Sequence, residues 1–276
     1  MAEIKAADVA KLRNITGAGM MDCKKALTES NGDFELAVDI LRKKGQKVAS
    51  NRADRDATEG VVLGKTTDDG KFAAIVVVNC ETDFVAKNED FIKFGEEILA
   101  IALDKKPASL EELKGLSLGK STIADEIINK TGVIGEKIDL SYYQSVSGET
   151  TIAYIHPGNR LSSIVAFNVS EFDIQVAKDV AMQIAAMSPV AIDKTDVPQS
   201  VIDKEIEIGK EQAINDGKPA EMAEKIAVGK LNKFFQESTL LNQFFIKDNK
   251  STVRDYLTKA NKNLTVTGFK RFGLSN

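Results

Sequence analysis

Cysteine and histidine are nearly absent from this chain, and tryptophan is missing altogether. The two cysteines, Cys23 and Cys80, lie far apart and form no CxxC or CxxH pair. A disulfide framework or a structural zinc site is therefore not expected, and reduced thiols of a cytoplasmic protein are the simplest account. No metal-ligand set and no cofactor fingerprint stands out, so neither a metal nor a cofactor is expected. The sole histidine, His156, falls in a turn beside Pro157, with no acid placed to orient it. A cysteine-dependent hydrolase using Cys80 as nucleophile and His156 as base is the enzymatic reading on offer, and no local motif or spacing supports it.

An excess of one charge is lacking too. With 37 Lys and Arg against 41 Asp and Glu, the net charge of −4 offers no general surplus of cations to neutralise phosphates, which disfavours direct nucleic-acid binding. Long apolar runs are missing. The longest, FAAIVVVNC at 72–80, falls far short of the roughly 20 residues needed to span a bilayer, and MAEIKAADVAKLRN at the start has no signal-peptide core. No membrane role is expected. What remains is 43% hydrophobic and 28% charged, a balance that favours folding over disorder.

Along the chain, residues 1–50 read as three helices. Ile4, Val9, Leu12 and Ile15 recur at helical spacing before Gly17-Ala18-Gly19. A second helix spans 21–30 and stops at Asn31-Gly32, and Asp33 caps a third that carries Phe34, Ala37, Val38 and Leu41. So small a core leaves the Met20-Met21 pair open to solvent. Residues 46–58 lack an apolar period and read as a charged helix tail or linker. Next come strands at 61–65 and 72–79 around the turn Asp68-Asp69-Gly70, then a helix at 88–103. The plan returns with strands at 151–155 and 162–168 around Pro157-Gly158-Asn159, and a helix at 174–187. Residues 138–146 read as a third strand for this second copy. Two hairpin-then-helix units give an α+β fold class with small antiparallel sheets. Residues 199–235 read as a projecting helical hairpin, a coiled coil broken at Asp216-Gly217-Lys218-Pro219, with Ile202, Ile206 and Ala213 on one face and Met222, Ile226 and Phe234 on the other. A helix at 251–257 and a strand at 266–272 close the chain. The expected domains are a head at 1–55, a core subdomain at 56–137, and a second at 138–276 with the hairpin inserted at about 198–235.

Asn79-Cys80-Glu81-Thr82-Asp83-Phe84-Val85-Ala86-Lys87-Asn88 joins a buried strand to an amphipathic helix, where loops commonly carry function. Thr82 or Asp83 is placed to cap the helix. By residue type alone Phe84 belongs in the core rather than standing out as a wedge. Gly17-Ala18-Gly19 lacks the strand and spacing of a phosphate loop. Lys24, Lys25, Arg42, Lys43 and Lys44 read as a solvated face, the alternative being an RNA-binding or ubiquitin-like adaptor head. Residue chemistry by itself stops at a binding protein.

Two segments carry a resemblance further. Leu12-Arg13-Asn14-Ile15-Thr16-Gly17-Ala18-Gly19-Met20-Met21-Asp22-Cys23-Lys24-Lys25-Ala26-Leu27 closely resembles the opening signature of the bacterial elongation factor Ts family, and Thr82-Asp83-Phe84-Val85-Ala86-Lys87 resembles its second. The likeness continues through Ile134-Gly135-Glu136, Gly217-Lys218-Pro219 and Val266-Thr267-Gly268-Phe269. It implies a ubiquitin-associated-like three-helix head on two α+β subdomains. The implied partner is elongation factor Tu, GDP-bound and nucleotide-free, and the implied role is guanine-nucleotide exchange in translation elongation without catalysis. Carried over, Asp83 and Phe84 displace helices of the partner and disturb its bound magnesium, while Thr82 and Val85 hold them in place. Arg13, Met20 and Met21 face the GTPase domain, and His156 is a secondary contact. A homodimer or a 2:2 complex is compatible with the resemblance. Some members continue into a C-terminal helical module, whereas this sequence ends at Gly273-Leu274-Ser275-Asn276, which bears on affinity and stoichiometry.

Overall fold

Three helices open the computed structural model, which describes residues 4–274: α1 (Ala6–Thr16), α2 (Met20–Glu29) and α3 (Phe34–Arg52). Gly17 stops α1 at φ 70°, its N–H closing on the Arg13 carbonyl, in a conformation that strains residues with a Cβ. Asp33 caps α3 by accepting the Leu36 N–H. Val9, Leu12, Cys23, Ala26, Leu27 and Ala37 make the small core of this head. Residues 46–52 belong to α3, so the helix-tail reading of that stretch holds to Arg52.

The chain then forms β1 (Glu59–Thr66) and β2 (Phe72–Cys80), the one-turn helix α4 (Asp83–Ala86), and α5 (Glu89–Lys105). Phe91, Phe94, Ile98, Leu99 and Ala102 are the buried face of α5. After α6 (Leu110–Gly115) and the two-residue strands β3 (Ser117–Leu118) and β4 (Ser121–Thr122), α7 (Ile123–Ile134) leads into β5 (Asp139–Ser147). The structure corrects the sequence reading here: β5 pairs with β2, giving the order β1-β2-β5, and does not join the second hairpin. The physical reason lies in β2. All of its residues are buried, as in a central strand with a neighbour on either side, whereas β5 buries only Leu140, Tyr143 and Val146, as suits an edge strand.

The second sheet contains β6 (Thr150–Ile155) and β7 (Leu161–Phe167), followed by α8 (Ile174–Met187), whose bounds match the sequence reading. Beyond it come α9 (Gln199–Asn215), α10 (Ala220–Ser238), β8 (Phe244–Phe245), β9 (Asp248–Thr252), α11 (Val253–Ala260) and β10 (Val266–Gly273). The last strand supplies the third member, in the order β10-β7-β6, with Phe269 and Ile152 both opposite Val165. Val165, Phe167, Val180, Ile184 and Leu257 share the core beneath. The architecture is α+β.

α9 and α10 form the expected helical hairpin, with Ala213 on the seam as expected and Met222 off it. Gly209, Ala213, Ala223 and Ala227 are buried, while Met222 is exposed. Small residues let the backbones approach so closely that a Cβ on Gly209 would lie 3.0 Å from the Ala227 Cα. The chain divides into two compact units: one runs through Leu63 and takes in Val76–Gln144, and the other comprises Gly64–Ile75 and Ser145–Gly273.

Candidate functional site

β2 ends at Cys80, and the chain turns outward through Glu81 and Thr82. Thr82 is extended and caps α4, its hydroxyl accepting the Val85 N–H at 3.5 Å. Asn88 caps α5 immediately afterwards, accepting the N–H groups of Asp90 and Phe91. The single turn carrying Asp83, Phe84 and Val85 is therefore bracketed by two side-chain caps.

Phe84 is 83% exposed. The core position suggested by its residue type is overturned, for a steric reason. Phe91 and Phe94 already occupy the buried face of α5, and one turn of α4 gives Phe84 no second layer to enter. Beside it, Asp83 pairs with Lys87 at 2.6 Å, and this ammonium holds the carboxyl below the usual carboxylate range. Val85 is half-buried.

Phe84 and Val85 line a groove of about 490 Å³ with Phe91, Phe94, Val133 and Ile134, rimmed by Asn88, Asp90, Lys93, Glu97 and Lys130. The Lys130 ammonium lies 5.1 Å over the Phe94 ring. Gly17 of the head lines the same groove. Arg13 in the last turn of α1, and Met20 and Met21 in the first turn of α2, flank that glycine and are exposed, Met21 by 75%. Ile15, which the helical period assigns to a buried face, is 62% exposed at the same corner. Gly17 is thus the head residue that lines the groove, while Arg13, Met20 and Met21 share its unit without lining the groove. His156 belongs to the other unit, in the exposed turn between β6 and β7, its Nδ1 3.0 Å from the Tyr154 hydroxyl.

Sequence reasoning missed Glu81 and assigned no role to Glu136. The Glu81 carboxylate accepts the Lys137 N–H at 2.6 Å and also bonds Arg52 at 2.8 Å and Arg55 at 3.2 Å. These donors, the Lys137 N–H foremost, hold its pKa down from 4.5 to about 2. A depressed carboxylate adds stability above its unfolded pKa and loses it as pH falls through the folded value. Glu81→Gln is expected to be less stable than the parent at neutral pH, with the difference shrinking from pH 4.5 towards 2. Urea titrations across that range check it; a difference independent of pH would contradict the assignment.

Cys80 is fully buried, and its thiol donates to the Thr82 carbonyl at 3.2 Å. Burial, with the nearby Glu136 charge, pushes the thiol up to about 12, so it carries almost no thiolate at neutral pH. This environment opposes the nucleophile the hydrolase reading requires. Among the described residues, no helix is long and apolar enough to cross a membrane.

Comparison with known proteins adds a family. The family model described as elongation factor TS matches residues 81–276. The elongation factor Ts of Porphyromonas gingivalis is 54% identical, covering 97% of this chain and 97% of its own length. That of Cytophaga hutchinsonii is 52% identical over 100% of both, and that of Chloroherpeton thalassium is 46% identical over 97% of this chain and 95% of its own.

Proposed function

From the premise that the chain belongs to the elongation factor Ts family, we propose that it is a guanine-nucleotide exchange factor for elongation factor Tu, acting in the cytoplasm by binding and not by catalysis. The observation that carries this reading is Phe84, a large aromatic held clear of the core on a turn that Thr82 caps, just before the helix that Asn88 caps. In a free protein such a side chain forgoes burial worth roughly 1.5–3 kcal/mol, a gain left available to a partner.

Exchange follows by linkage. GDP and its magnesium favour the closed nucleotide site of elongation factor Tu, and a protein that binds the open site better weakens nucleotide binding by the same factor. Asp83 and Phe84 enter between helices of the GTPase and disturb its magnesium, with Thr82 and Val85 holding the turn. Moving a population from 1:99 to 99:1 takes about 5.5 kcal/mol of differential binding, more than one phenylalanine supplies. The exposed corner of the head, with Arg13, Met20 and Met21, supplies a further part, and His156 contributes a secondary contact from the other unit. GTP then fills the emptied site, and this chain makes and breaks no bond.

The test is stopped-flow release of a fluorescent GDP analogue from elongation factor Tu. Acceleration that grows with the concentration of this protein is expected. A folded preparation that leaves the release rate unchanged would sink the reading.

A further inference from the structure

The turn that presents Phe84 is only one helical turn long, and lone turns are unstable without outside help because nucleation fixes several residues for one hydrogen bond. The help comes from the segment after α7. Glu136 accepts twice from Thr82, from its N–H at 3.0 Å and from its hydroxyl at 2.7 Å. In the opposite direction, Glu81 accepts the Lys137 N–H at 2.6 Å. Residues 81–82 and 136–137 therefore hold each other reciprocally, each pair giving a carboxylate and receiving one on a backbone N–H. Because the Thr82 hydroxyl spends its proton on Glu136, its lone pairs are directed to the Val85 N–H, and the cap has one orientation.

We propose that Glu136 is the positioning residue of the exchange site: its two bonds to Thr82 fix the cap of α4 and so keep Phe84 standing out of the surface. The inference rests on the exchange reading for its consequence and on the hydrogen bonds for its geometry. Phe84 lines the apolar groove beside Phe91 and Val133. Once Thr82 is released, the frayed turn lets the ring settle onto those side chains. A partner then meets the projecting form in only a fraction of molecules, and apparent affinity falls by that fraction. Glu136 is half-buried, and in this proposal it acts on the partner through Thr82 and Phe84.

Two measurements on the full chain test this. Without a partner, amide hydrogen exchange at Thr82 and Val85 is expected to quicken in Glu136→Ala and, to a smaller degree, in Glu136→Gln, while amides of β2 keep their protection. With elongation factor Tu, Glu136→Ala is expected to slow the acceleration of GDP release about tenfold at a fixed subsaturating concentration, the effect of leaving about one molecule in ten in the projecting form. In a Phe84→Ala background the same substitution should remove nothing more, because its route to the partner is already gone. Unchanged protection at Thr82 and Val85 would overturn the proposal, as would losses that multiply in the double variant. If Glu136→Ala does not fold, Glu136→Gln supplies both readouts. A parent protein that fails to accelerate release defeats the exchange reading alone, and the amide measurement then decides whether Glu136 positions the turn.

Discussion

Phe84→Ala is expected to reduce the acceleration of GDP release from elongation factor Tu by about ten- to a hundredfold. The size follows from the roughly 1.5–3 kcal/mol that burial of a phenylalanine contributes, with 1.4 kcal/mol to each factor of ten. The side chain is 83% exposed in the free protein, so its removal should leave the thermal midpoint nearly unchanged. That separation is the strength of the experiment, because a loss of exchange without loss of fold locates the defect at the interface. Stopped-flow traces at several concentrations read the first quantity, and circular dichroism melts read the second. Equal acceleration by both proteins would move the work to the head and remove Phe84 from the mechanism.

The second large effect is expected far from any exposed wedge, where α3 crosses α7. A Cβ added at Gly132 would lie 2.3 Å from the Gly45 Cα, a distance that only a shift of one helix relieves. A Cβ at Gly45 would meet the Gly132 Cα at 3.5 Å, an ordinary contact. The two glycines face each other, yet their tolerances differ. Gly132→Leu should destabilise by about 3 kcal/mol or more through overpacking, lowering the melting midpoint by roughly 6–12 °C. Gly45→Ala should be close to neutral, since a helix interior gains up to about 1 kcal/mol from that exchange. Arg42 and Asp125, 3.5 Å apart, brace the same pair of helices. Because Val133 follows Gly132 and lines the groove with Gly17, forcing the helices apart should also depress exchange. A Gly132→Leu protein that melts with the parent would show that the crossing is not tight.

The local features of this fold were legible in the sequence wherever a signal and its consequence lie a few residues apart. Asp33 caps the helix that begins at the next residue, and Asp68-Asp69-Gly70 turns the hairpin it sits in, with Gly70 at φ 67°. The helix at 174–187 is bounded by its cap Asp173 and by Ser188. The same reasoning misplaced the strand at 138–146, because residue pattern says that a segment is a strand and not which sheet it joins. It also put Phe84 in the core, since residue type measures what a side chain would gain by burial and not whether a place is left for it.

What the sequence by itself determined, then, is the order and kind of most of the long elements, though not the helices α6 and α7, the α+β class, and through two motifs the family. The tertiary structure alone decided which strands share a sheet, that Gly45 and Gly132 touch, that Phe84 stands exposed, and that Glu136 grips Thr82 from 54 positions away. The division has a physical origin. Caps, turns and periodicities act through backbone geometry over one or two turns of chain, and so they are written in neighbouring residues. Strand partners, close helix crossings and the grip of one carboxylate on a distant cap arise from packing, and they exist only once the chain has closed on itself.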